Sequence, residues 1–526
     1  MFPVAPDQST SVRWWVRFFP SLTDLAFLFP LYFLFAKIGG ARRLLRDADA
    51  GLQIRAGEWI LQNHAAPRTD LFSFSKAGQP WFAWEWGWDV LAALLHQRFG
   101  LAGFVLANCC ILALTAVFVF RLARHRSGHP LLAFFITALA VQASGVHWLA
   151  RPHLLSWLLF SALLLLLDRI QTGSRRWLWA LPALSLVWAN LHGSFFLVAL
   201  LTLAYAAGDL LAGLVLAVGA VRSGYIQRSG RYALAALASL AVSLINPYGL
   251  ELHRHVAKYL LDARQLDVIQ EFRAFDFRGM PALQIEMLLL LGSAAACWSL
   301  YRRRWPDALI LLLWLHLALR STRSIPLFAF AAAGPAALMI RELLSLASRS
   351  RNIRSLGATA RAVLFFGREF SSLEGVERFC LPSVAAIATI ALLLGAKAPG
   401  AFGARFDDKV FPVDAVTSLG SAWPRHLLTS DQWGSYLVYR CYPNVKVFLD
   451  DRSDFYGADF DSQAARLLSA EHDWNDALNR YQIDAALLSP SDPLAAVMKM
   501  SPVWSVSYDD GLAIVFHRRR VAGRGA

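Results

Sequence analysis

The sequence predicts a polytopic α-helical membrane protein, with about 11 transmembrane helices and a small C-terminal α/β domain. Hydrophobic residues make up 56% of the 526 positions, and the mean hydropathy is +0.43. A soluble protein of this length would be more polar. Apolar runs long enough to cross a bilayer recur along the chain, with clusters of arginine between them. The last part, about 397–526, has instead the composition of a soluble domain.

The apolar runs divide the chain into its predicted parts. The predicted spans lie at about 21–39, 101–121, 130–149, 153–170, 177–191, 194–220, 232–247, 283–301, 306–320, 324–342 and 380–396. The first is followed by GGARRLLRD and lacks a small-residue cleavage site, which favours a retained helix over a signal peptide. We therefore expect a transmembrane domain over 1–396, with a large first loop at about 40–100, and a second domain over 397–526.

Charge predicts the orientation of these spans. The loops after the second, fourth, sixth, eighth and tenth spans are rich in arginine, reading RLARHRS, DRIQTGSRR, RSGYIQRSGR, YRRRW and RELLSLASRSRNIR. The short connections between them carry few arginines. The positive-inside rule then places the N-terminus in the cytoplasm and the C-terminal domain outside. The net charge of +14 resides largely in such loops, so nucleic acid is not an expected partner.

The segments outside the spans have distinct patterns. The first loop contains PWFAWEWGWDVLAALLHQRFG, which is typical of helices at the membrane interface, and the basic segment 341–379 is compatible with a surface helix. In the C-terminal domain, GSYLVYR, VKVFLD, IDAALLS and GLAIVFHRR are predicted strands, and DSQAARLLSAEHDWNDALNRY is predicted to be helical. The five cysteines form neither a disulfide framework nor a metal-binding spacing.

Cationic and imidazole groups collect at the predicted outer ends of the spans, where the positive-inside rule predicts few. The set comprises His147, Arg151, His153, His192, His253, Arg320 and Arg323. One interpretation is that these side chains extend to lipid headgroups. The other is that they share an anion, such as the phosphate of a membrane-borne substrate, which arginine binds bidentately. No HxxxH or HExxH pair favours a histidine metal site.

The first loop opens with RDADAGLQIRAGEWI, which places Asp47 and Asp49 before a predicted helix. Beyond Asp49, one helical stripe is formed by Leu52, Ala56, Trp59 and Ile60. One aspartate can cap this helix or complement its dipole. A cap does not require two carboxylates. The second could act as a general base for an incoming hydroxyl, while nearby arginines keep it ionised.

These motifs resemble the GT-C superfamily of membrane glycosyltransferases, which includes protein mannosyltransferases, aminoarabinose transferases and oligosaccharyltransferase catalytic subunits. The shared features are an Asp-x-Asp in the first outer loop, many spans and an outer C-terminal domain. The segments PRTDLFSF, RPHLLSWLL, WANLHGSFF, INPYGLELHRH, EFRAFDFR, RSIPLF and VFLDDRSDFYG look like a bacterial group within that superfamily. The chain departs from that group at Ala50, Gly51 and Gln53, where Thr, an aromatic residue and His are common.

The resemblance implies a bacterial inner-membrane enzyme that moves a sugar from a polyprenyl-phosphate donor to a periplasmic glycan, lipid or protein. It implies Asp49, and after it Asp47, as the catalytic carboxylate. The phosphate would be held by the span-end set together with Arg55 of the same motif. A divalent metal, Mg²⁺ or Mn²⁺, is compatible with this implication, because oligosaccharyltransferases use one and many relatives do not clearly need it.

Further charged residues are candidates for acceptor binding. Asp450, Asp451 and Arg452 follow a predicted buried strand, a usual position both for ligand contacts and for a charged turn. Glu85 and Asp89 are spaced to share a helix face, either as a second acidic pair or as ordinary interfacial charges.

Two other functions fit the same sequence. A lipid-glycan ligase or flippase-like transporter is one, although transporters usually place polar residues near mid-bilayer on broken helices. A non-catalytic membrane scaffold is the other, because the departures at Ala50, Gly51 and Gln53 affect the motif that would carry catalysis. Expected partners under the transferase hypothesis are the lipid-linked donor, membrane lipids and the acceptor.

Overall fold

The computed structural model describes residues 14–215, 218–279, 282–350, 354–420 and 423–519. Within these residues, seven helices are long and apolar enough to cross a membrane, and a small sheet lies near the C-terminus. The predicted class, a helical multi-pass membrane protein with a small C-terminal α/β part, is confirmed. The seven candidate spans are Val16–Lys37, Trp86–Ser127, Pro130–His147, Pro152–Gln171, Gly193–Val215, Ala282–Tyr301 and Thr322–Ala347.

The helices of the first part are α1 (Leu22–Lys37), α2 (Ala41–Leu44), α3 (Asp49–Asn63), α4 (Trp86–Ser127), α5 (Pro130–Ser144), α6 (Pro152–Gln171), α7 (Ala180–Ala189), α8 (Leu197–Val215), α9 (Gly219–Val242), α10 (Leu250–Leu261), α11 (Ala263–Val268), α12 (Ala282–Tyr301), α13 (Trp305–Arg320), α14 (Ile325–Ala347), α15 (Arg354–Glu374) and α16 (Leu381–Gly395). Short 3-10 helices occupy Trp14–Phe18, Gly145–His147, Arg175–Trp179, Gly193–Phe196, Gln270–Phe272, Thr322–Ser324 and Gly400–Phe402.

Each of the eleven predicted apolar runs overlaps one of these helices, but α7, α9, α13 and α16 are not among the seven candidate spans, and the count of eleven spans stays a prediction. The boundary near residue 100 has a structural counterpart. Gly100 interrupts α4 with φ 61° and ψ −163°, a backbone conformation that glycine adopts without steric cost. The part of α4 before Gly100 therefore belongs with α2 and α3 in the first loop.

A buried ion cluster joins four helices near the C-terminal end of α4. Arg126 at the end of α4 contacts Asp168 of α6 through Nε at 2.8 Å and Asp307 of α13 through Nη1 at 2.6 Å. The hydroxyl of Tyr205, on α8, accepts a hydrogen bond from Arg126 Nη2 at 3.3 Å. Because each charge is paired and hydrogen-bonded, burial is tolerated, and four helices are fixed relative to one another.

The C-terminal part contains α17 (Val413–Ser418), β1 (Leu427–Leu428), α18 (Asp431–Cys441), α19 (Ser453–Leu468), α20 (Trp474–Arg480), β2 (Ala485–Leu488), α21 (Pro493–Met500), β3 (Trp504–Asp509) and β4 (Ile514–Arg518). The strands have the order β1-β2-β4-β3, with β1 and β2 parallel and the other pairs antiparallel. The predictions for IDAALLS, GLAIVFHRR and the helical segment after Asp461 are confirmed.

The strand prediction for GSYLVYR is wrong, because this segment lies within α18. Its buried residues Trp433, Leu437 and Cys441 repeat at four-residue intervals, so a helix buries them on one face. Gly434 lets that helix approach the next segment, since an added Cβ would lie 1.9 Å from the Leu449 carbonyl oxygen. VKVFLD is extended but forms only isolated bridges at Val447.

The first loop pairs with the C-terminal part through those bridges. Val447 lies parallel to Leu427 on one side and to Ser73 on the other. Val447 N donates to Phe72 O at 3.0 Å, and Phe74 N donates to Val447 O at 3.0 Å. These bridges add two short extended segments, one of them from the first loop, to the edge of the C-terminal sheet at β1. The pairing holds the first loop and the C-terminal part together beside α3. We call this side of the helical part the domain face.

Candidate active site

A cavity of about 750 Å³ opens at the domain face, between the helical part and the C-terminal part. The charged and histidine side chains that line it are Asp47, Asp49, Glu85, Asp89, His147, Arg151, His153, His192, Glu271, Arg323, Asp431, Asp450, Asp451, Arg452, Asp454 and Asp461. They come from the first loop, several helix ends and the C-terminal part. Most of the residues that the sequence singled out are therefore neighbours in space.

Asp47 and Asp49 lie at the start of α3 and share Arg151. Asp47 Oδ1 accepts the Asp49 backbone N–H at 2.9 Å, which satisfies the first amide of the helix. Asp47 Oδ2 pairs with Arg151 Nη2, and Asp49 Oδ2 lies 3.0 Å from the same nitrogen. Both oxygens of Asp47 are thus engaged, whereas the ion pair of Asp49 uses only Oδ2.

Glu271, in the Gln270–Phe272 3-10 helix, is a site residue that the sequence analysis did not single out. Its Oε1 lies 3.0 Å from Arg151 Nη1 and its Oε2 lies 2.8 Å from His147 Nε2. Arg323 approaches Oε1 at 3.8 Å. Burial alone would raise the pKa of Glu271, but Arg323, His147 and Arg151 together lower it well below its ordinary range. Glu271 is therefore a fixed anion, with an ion-pair contact to each of its carboxylate oxygens.

Asp451 brings a third carboxylate to the aspartate pair from the C-terminal part. Carboxylate oxygens of Asp47, Asp49 and Asp451 all lie within 4.8 Å of one another. Burial and the neighbouring Asp49 raise the pKa of Asp451 well above its ordinary value. Burial, together with Asp47 and Glu271, raises the pKa of Asp49 to about 8, against the opposing effect of Arg151.

The donor set of this cluster fits a divalent cation. Asp451 Oδ2 is buried and has no hydrogen-bond partner among the described residues, although a buried carboxylate oxygen requires one. Three carboxylates are oxygen ligands of the kind that Mg²⁺ and Mn²⁺ prefer. We name Asp47, Asp49 and Asp451 the aspartate cluster.

The cavity as a whole is acidic, which differs from the cationic surface that the span-end residues suggested. Ten carboxyl side chains line it, against three arginines and three histidines. Arg151 is already engaged by Asp47, Asp49 and Glu271. Among the arginines of the cavity, Arg323 has the least occupied guanidinium, with the 3.8 Å contact to Glu271 and its Cζ atom 5.2 Å from the centroid of the Phe272 ring.

Asp450 and Arg452 form a buried ion cluster with Asp70 of the first loop. Arg452 contacts Asp450 through Nε and Nη2, each at 2.7 Å, and contacts Asp70 through Nη2 at 2.7 Å. The guanidinium also lies 4.6 Å from the centroid of the Trp81 ring. This cluster fixes the backbone next to Asp451, and its polar atoms largely bind each other. The acceptor-binding role of Asp450 and Arg452 stays a prediction.

Replacing Arg452 with Met is expected to lower the free energy of unfolding by about 3–5 kcal/mol, because Asp450 and Asp70 would remain buried without their cation. Thermal unfolding of the full chain in detergent measures the change. Arg466→Met is the matched control, since Arg466 is exposed on α19. Equal unfolding temperatures for the two variants would contradict the structural role of Arg452.

A second group of polar side chains lies around Glu85, at the N-terminus of α4. Gln53 Nε2 donates to Glu85 Oε2 at 3.2 Å, and Trp88 Nε1 donates to Gln53 Oε1 at 3.0 Å. His192 Nε2 lies 3.3 Å from Glu85 Oε1. Burial and Asp49 raise the pKa of Glu85 to about 8, and burial with Arg323 lowers the pKa of His192 to about 3. Both groups are therefore largely uncharged at neutral pH.

Three predicted phosphate ligands lie outside the cavity lining. Arg55 faces the other side of α3, where Nε donates to Tyr439 O at 2.7 Å and Nη1 contacts Glu58 at 2.6 Å. His253 Nε2 lies 2.8 Å from the Ser243 hydroxyl. Arg320 is exposed at the end of α13. His153, which does line the cavity, donates from Nε2 to the His147 carbonyl at 3.1 Å.

Two of the three residues that differ from the bacterial group, Gly51 and Gln53, have structural roles here. Gly51 lets α3 approach α18, because an added Cβ would lie 2.5 Å from Tyr439 Cβ. Gln53 holds Glu85, as described above. Of the site residues that sequence reasoning missed, Glu271 and Asp70 lie in the quoted segments EFRAFDFR and PRTDLFSF, so the motif resemblance was the signal that could have found them.

The structure is that of a multi-pass membrane protein, and its similarity to solved oligosaccharyltransferase structures supports the predicted GT-C-like fold. Solved structures of the Archaeoglobus fulgidus oligosaccharyltransferase share this fold. The apo form has 12% identity and a TM-score of 0.53, covering 89% of this chain and 69% of that one. The form tethered to an acceptor peptide containing the NVT sequon has 12% identity and a TM-score of 0.54, covering 95% and 74%.

A third similar structure is the archaeal oligosaccharyltransferase AglB from Archaeoglobus fulgidus in complex with an inhibitory peptide and a dolichol-phosphate. It has 13% identity and a TM-score of 0.52, and covers 89% of this chain and 69% of that one. No protein-family model and no curated protein sequence matches the chain. At identities this low, the structural similarity shows a shared fold and nothing more.

Proposed function

We propose that the chain is a membrane glycosyltransferase that moves a sugar from a polyprenyl-phosphate-linked donor to a hydroxyl-bearing or amide-bearing acceptor. The observation that carries the proposal is the aspartate cluster in the cavity, where carboxylate oxygens from α3 and the C-terminal part lie within 4.8 Å of one another. The oligosaccharyltransferase fold supports it, because one such structure holds a dolichol-phosphate and another holds an acceptor peptide. The site would face the periplasm of a bacterial inner membrane.

Asp49 is the proposed general base. Its second oxygen is not used in the ion pair with Arg151, so it can take the proton of an incoming acceptor. The acceptor atom then forms a bond to the anomeric carbon while the bond from that carbon to the phosphate oxygen breaks. The polyprenyl phosphate leaves with the electron pair, and direct displacement inverts the anomeric carbon. Asp47, with both oxygens engaged, holds Arg151 and the start of α3 in place.

Arg323 is the proposed phosphate ligand. It lines the cavity, and its contact with Glu271 at 3.8 Å is long for an ion pair, so its guanidinium can still bind phosphate oxygens. Arg151, in contrast, orients three carboxylates. His147 supports this arrangement by its 2.8 Å contact with Glu271.

The aspartate cluster would hold a Mg²⁺ or Mn²⁺ ion. Such an ion, when bound, supplies positive charge that offsets the crowded carboxylates, favours the ionised form of Asp49 and stabilises the leaving phosphate. An acidic cavity would otherwise repel a phosphate-bearing donor. The residues of the chain bind the ion and the donor, and orient the base toward the acceptor.

Membranes that contain the chain are expected to release sugar from a radiolabelled polyprenyl-phosphate donor, tested with glucose, mannose and arabinose derivatives. Chelation of divalent ions should lower the rate by about 100-fold or more, and added Mg²⁺ or Mn²⁺ should restore it, because the cluster would lose charge stabilisation. Membranes without the chain are the control. Undiminished release after chelation would exclude the metal, and no release above the control would exclude the transferase.

A further inference from the structure

A second group of polar side chains lies in the cavity around Glu85, apart from the aspartate cluster. Asp89, one helical turn further along α4, is 4% exposed, lines the cavity, and has an Oδ1 atom without a hydrogen-bond partner among the described residues. Buried polar atoms in this position are usually satisfied by a ligand or an ordered water. Gln53, Glu85 and His192 lie beside it, and Trp84 adds an aromatic surface to the same lining.

The groups of this site are suited to hydroxyls. Glu85 and His192 are largely uncharged at neutral pH, for the reasons given above. A neutral carboxyl and a carboxamide each offer both donor and acceptor groups, the combination that hydroxyl groups match. Aromatic rings pack against the apolar C–H face of a sugar, since that face buries well on a flat apolar surface.

The charge of the cavity selects against acidic ligands at this site. Ten carboxyl side chains line the cavity, and a sugar carboxylate placed beside the uncharged Glu85 would be partly desolvated in the negative field of those carboxyl groups that are ionised. An uncharged ring meets no such repulsion. A positively charged amino sugar would be attracted to the acidic cavity, so comparing it with an uncharged sugar tests whether charge or hydroxyl groups decide binding.

We propose that Glu85, Asp89 and Gln53 form a subsite for an uncharged, hydroxyl-bearing sugar ring. The inference rests on the proposed function, because it names the class of sugar that the same cavity accepts. The ring belongs either to the lipid-linked donor or to a glycan acceptor. Both sources present the same hydroxyl chemistry.

Equilibrium binding to the full chain in detergent tests the proposal, measured by tryptophan fluorescence or calorimetry. The donor-type probes are farnesyl phosphonate C-glycosides of glucose, glucuronic acid and glucosamine, whose carbon–carbon linkage cannot be cleaved. A lipid-free methyl glucoside is the acceptor-type probe. The glucose phosphonate is expected to bind at least about 10-fold more tightly than the glucuronic acid probe.

Glu85→Ala should raise the dissociation constant of the glucose probe by about 5–30-fold, the loss expected for removing hydrogen bonds in a desolvated site. Glu85→Gln should stay within about 3-fold of the wild type, since an amide keeps a donor and an acceptor. Glu251→Ala is the matched control, because Glu251 is exposed on α10. Thermal unfolding of each variant separates lost binding from misfolding.

Each outcome bears on the subsite. Glucuronic acid binding as tightly as glucose, tighter binding of glucosamine, failure of all probes to bind, or an unchanged dissociation constant in folded Glu85→Ala would overturn it. A Glu85 effect confined to the phosphonate assigns the ring to the donor, and an effect also on methyl glucoside assigns it to the acceptor, either of which supports it. Because these measurements need no turnover, a chain that binds glucose selectively but transfers no sugar would refute the transferase and leave the subsite standing.

Discussion

Replacing Asp49 with Asn is expected to lower sugar release by about 10²–10⁴-fold, the contribution typical of a positioned general base. Asn keeps the size of the side chain and can still approach Arg151, but it cannot accept the acceptor proton. Asp47→Asn is expected to act less directly. It loosens the Arg151 contact that fixes both carboxylates at the start of α3. The measurement is loss of radiolabelled sugar from the polyprenyl-phosphate donor in membranes.

Asp454→Asn is the matched control for Asp49. Asp454 also lines the cavity, but its carboxylate lies 3.0 Å from His255 and outside the aspartate cluster. Removing this charge should leave the rate within about 10-fold of the wild type, because it changes only the general field of the cavity. Full turnover in the Asp49→Asn variant would exclude Asp49 as the general base.

Asp451→Asn is expected to lower the affinity for Mn²⁺ and the rate of sugar release by at least about 10–100-fold, while the metal-free protein keeps or gains stability. The two effects have one cause. Burial and Asp49 raise the pKa of Asp451, so the ionised carboxylate is unfavourable in the folded chain without a cation. An uncharged Asn removes that repulsion and also removes a ligand. Mn²⁺ titration and thermal unfolding in the presence of a chelator measure the two quantities separately.

The neighbouring residue gives the control for Asp451. Asp450 is paired with Arg452, and Asp450→Asn is expected to lower the stability of the metal-free chain. Adjacent carboxylates should thus respond in opposite directions, because one is compensated in the folded chain and the other is not. If Asp451→Asn destabilises the metal-free chain as Asp450→Asn does, Asp451 is a structural residue and the three-carboxylate cluster loses its support.

Much of the fold could be predicted from the sequence because it depends on local composition. Apolar length and arginine clusters indicated a multi-pass membrane protein, and β2 and β4 were recognisable as apolar segments bounded by polar ones. The GSYLVYR segment was not. Seven residues of mixed character fit a strand or a helix equally well, and only the close contact at Gly434 and the burial of Trp433 and Leu437 decide for a helix.

The candidate site was harder to predict from the sequence than the fold, because it depends on contacts between distant segments. By itself, the sequence determined the membrane class, the position of Asp47 and Asp49 at a helix start, and a set of polar span ends. Only the tertiary structure brought Asp451 to that pair, because pairing of the first loop with Val447 joins segments far apart in the chain. It also showed Arg151 to be occupied by carboxylates and placed Arg55 outside the cavity. The physical reason is that the charge of a residue is fixed by its type, whereas its partners are fixed by how distant segments pack.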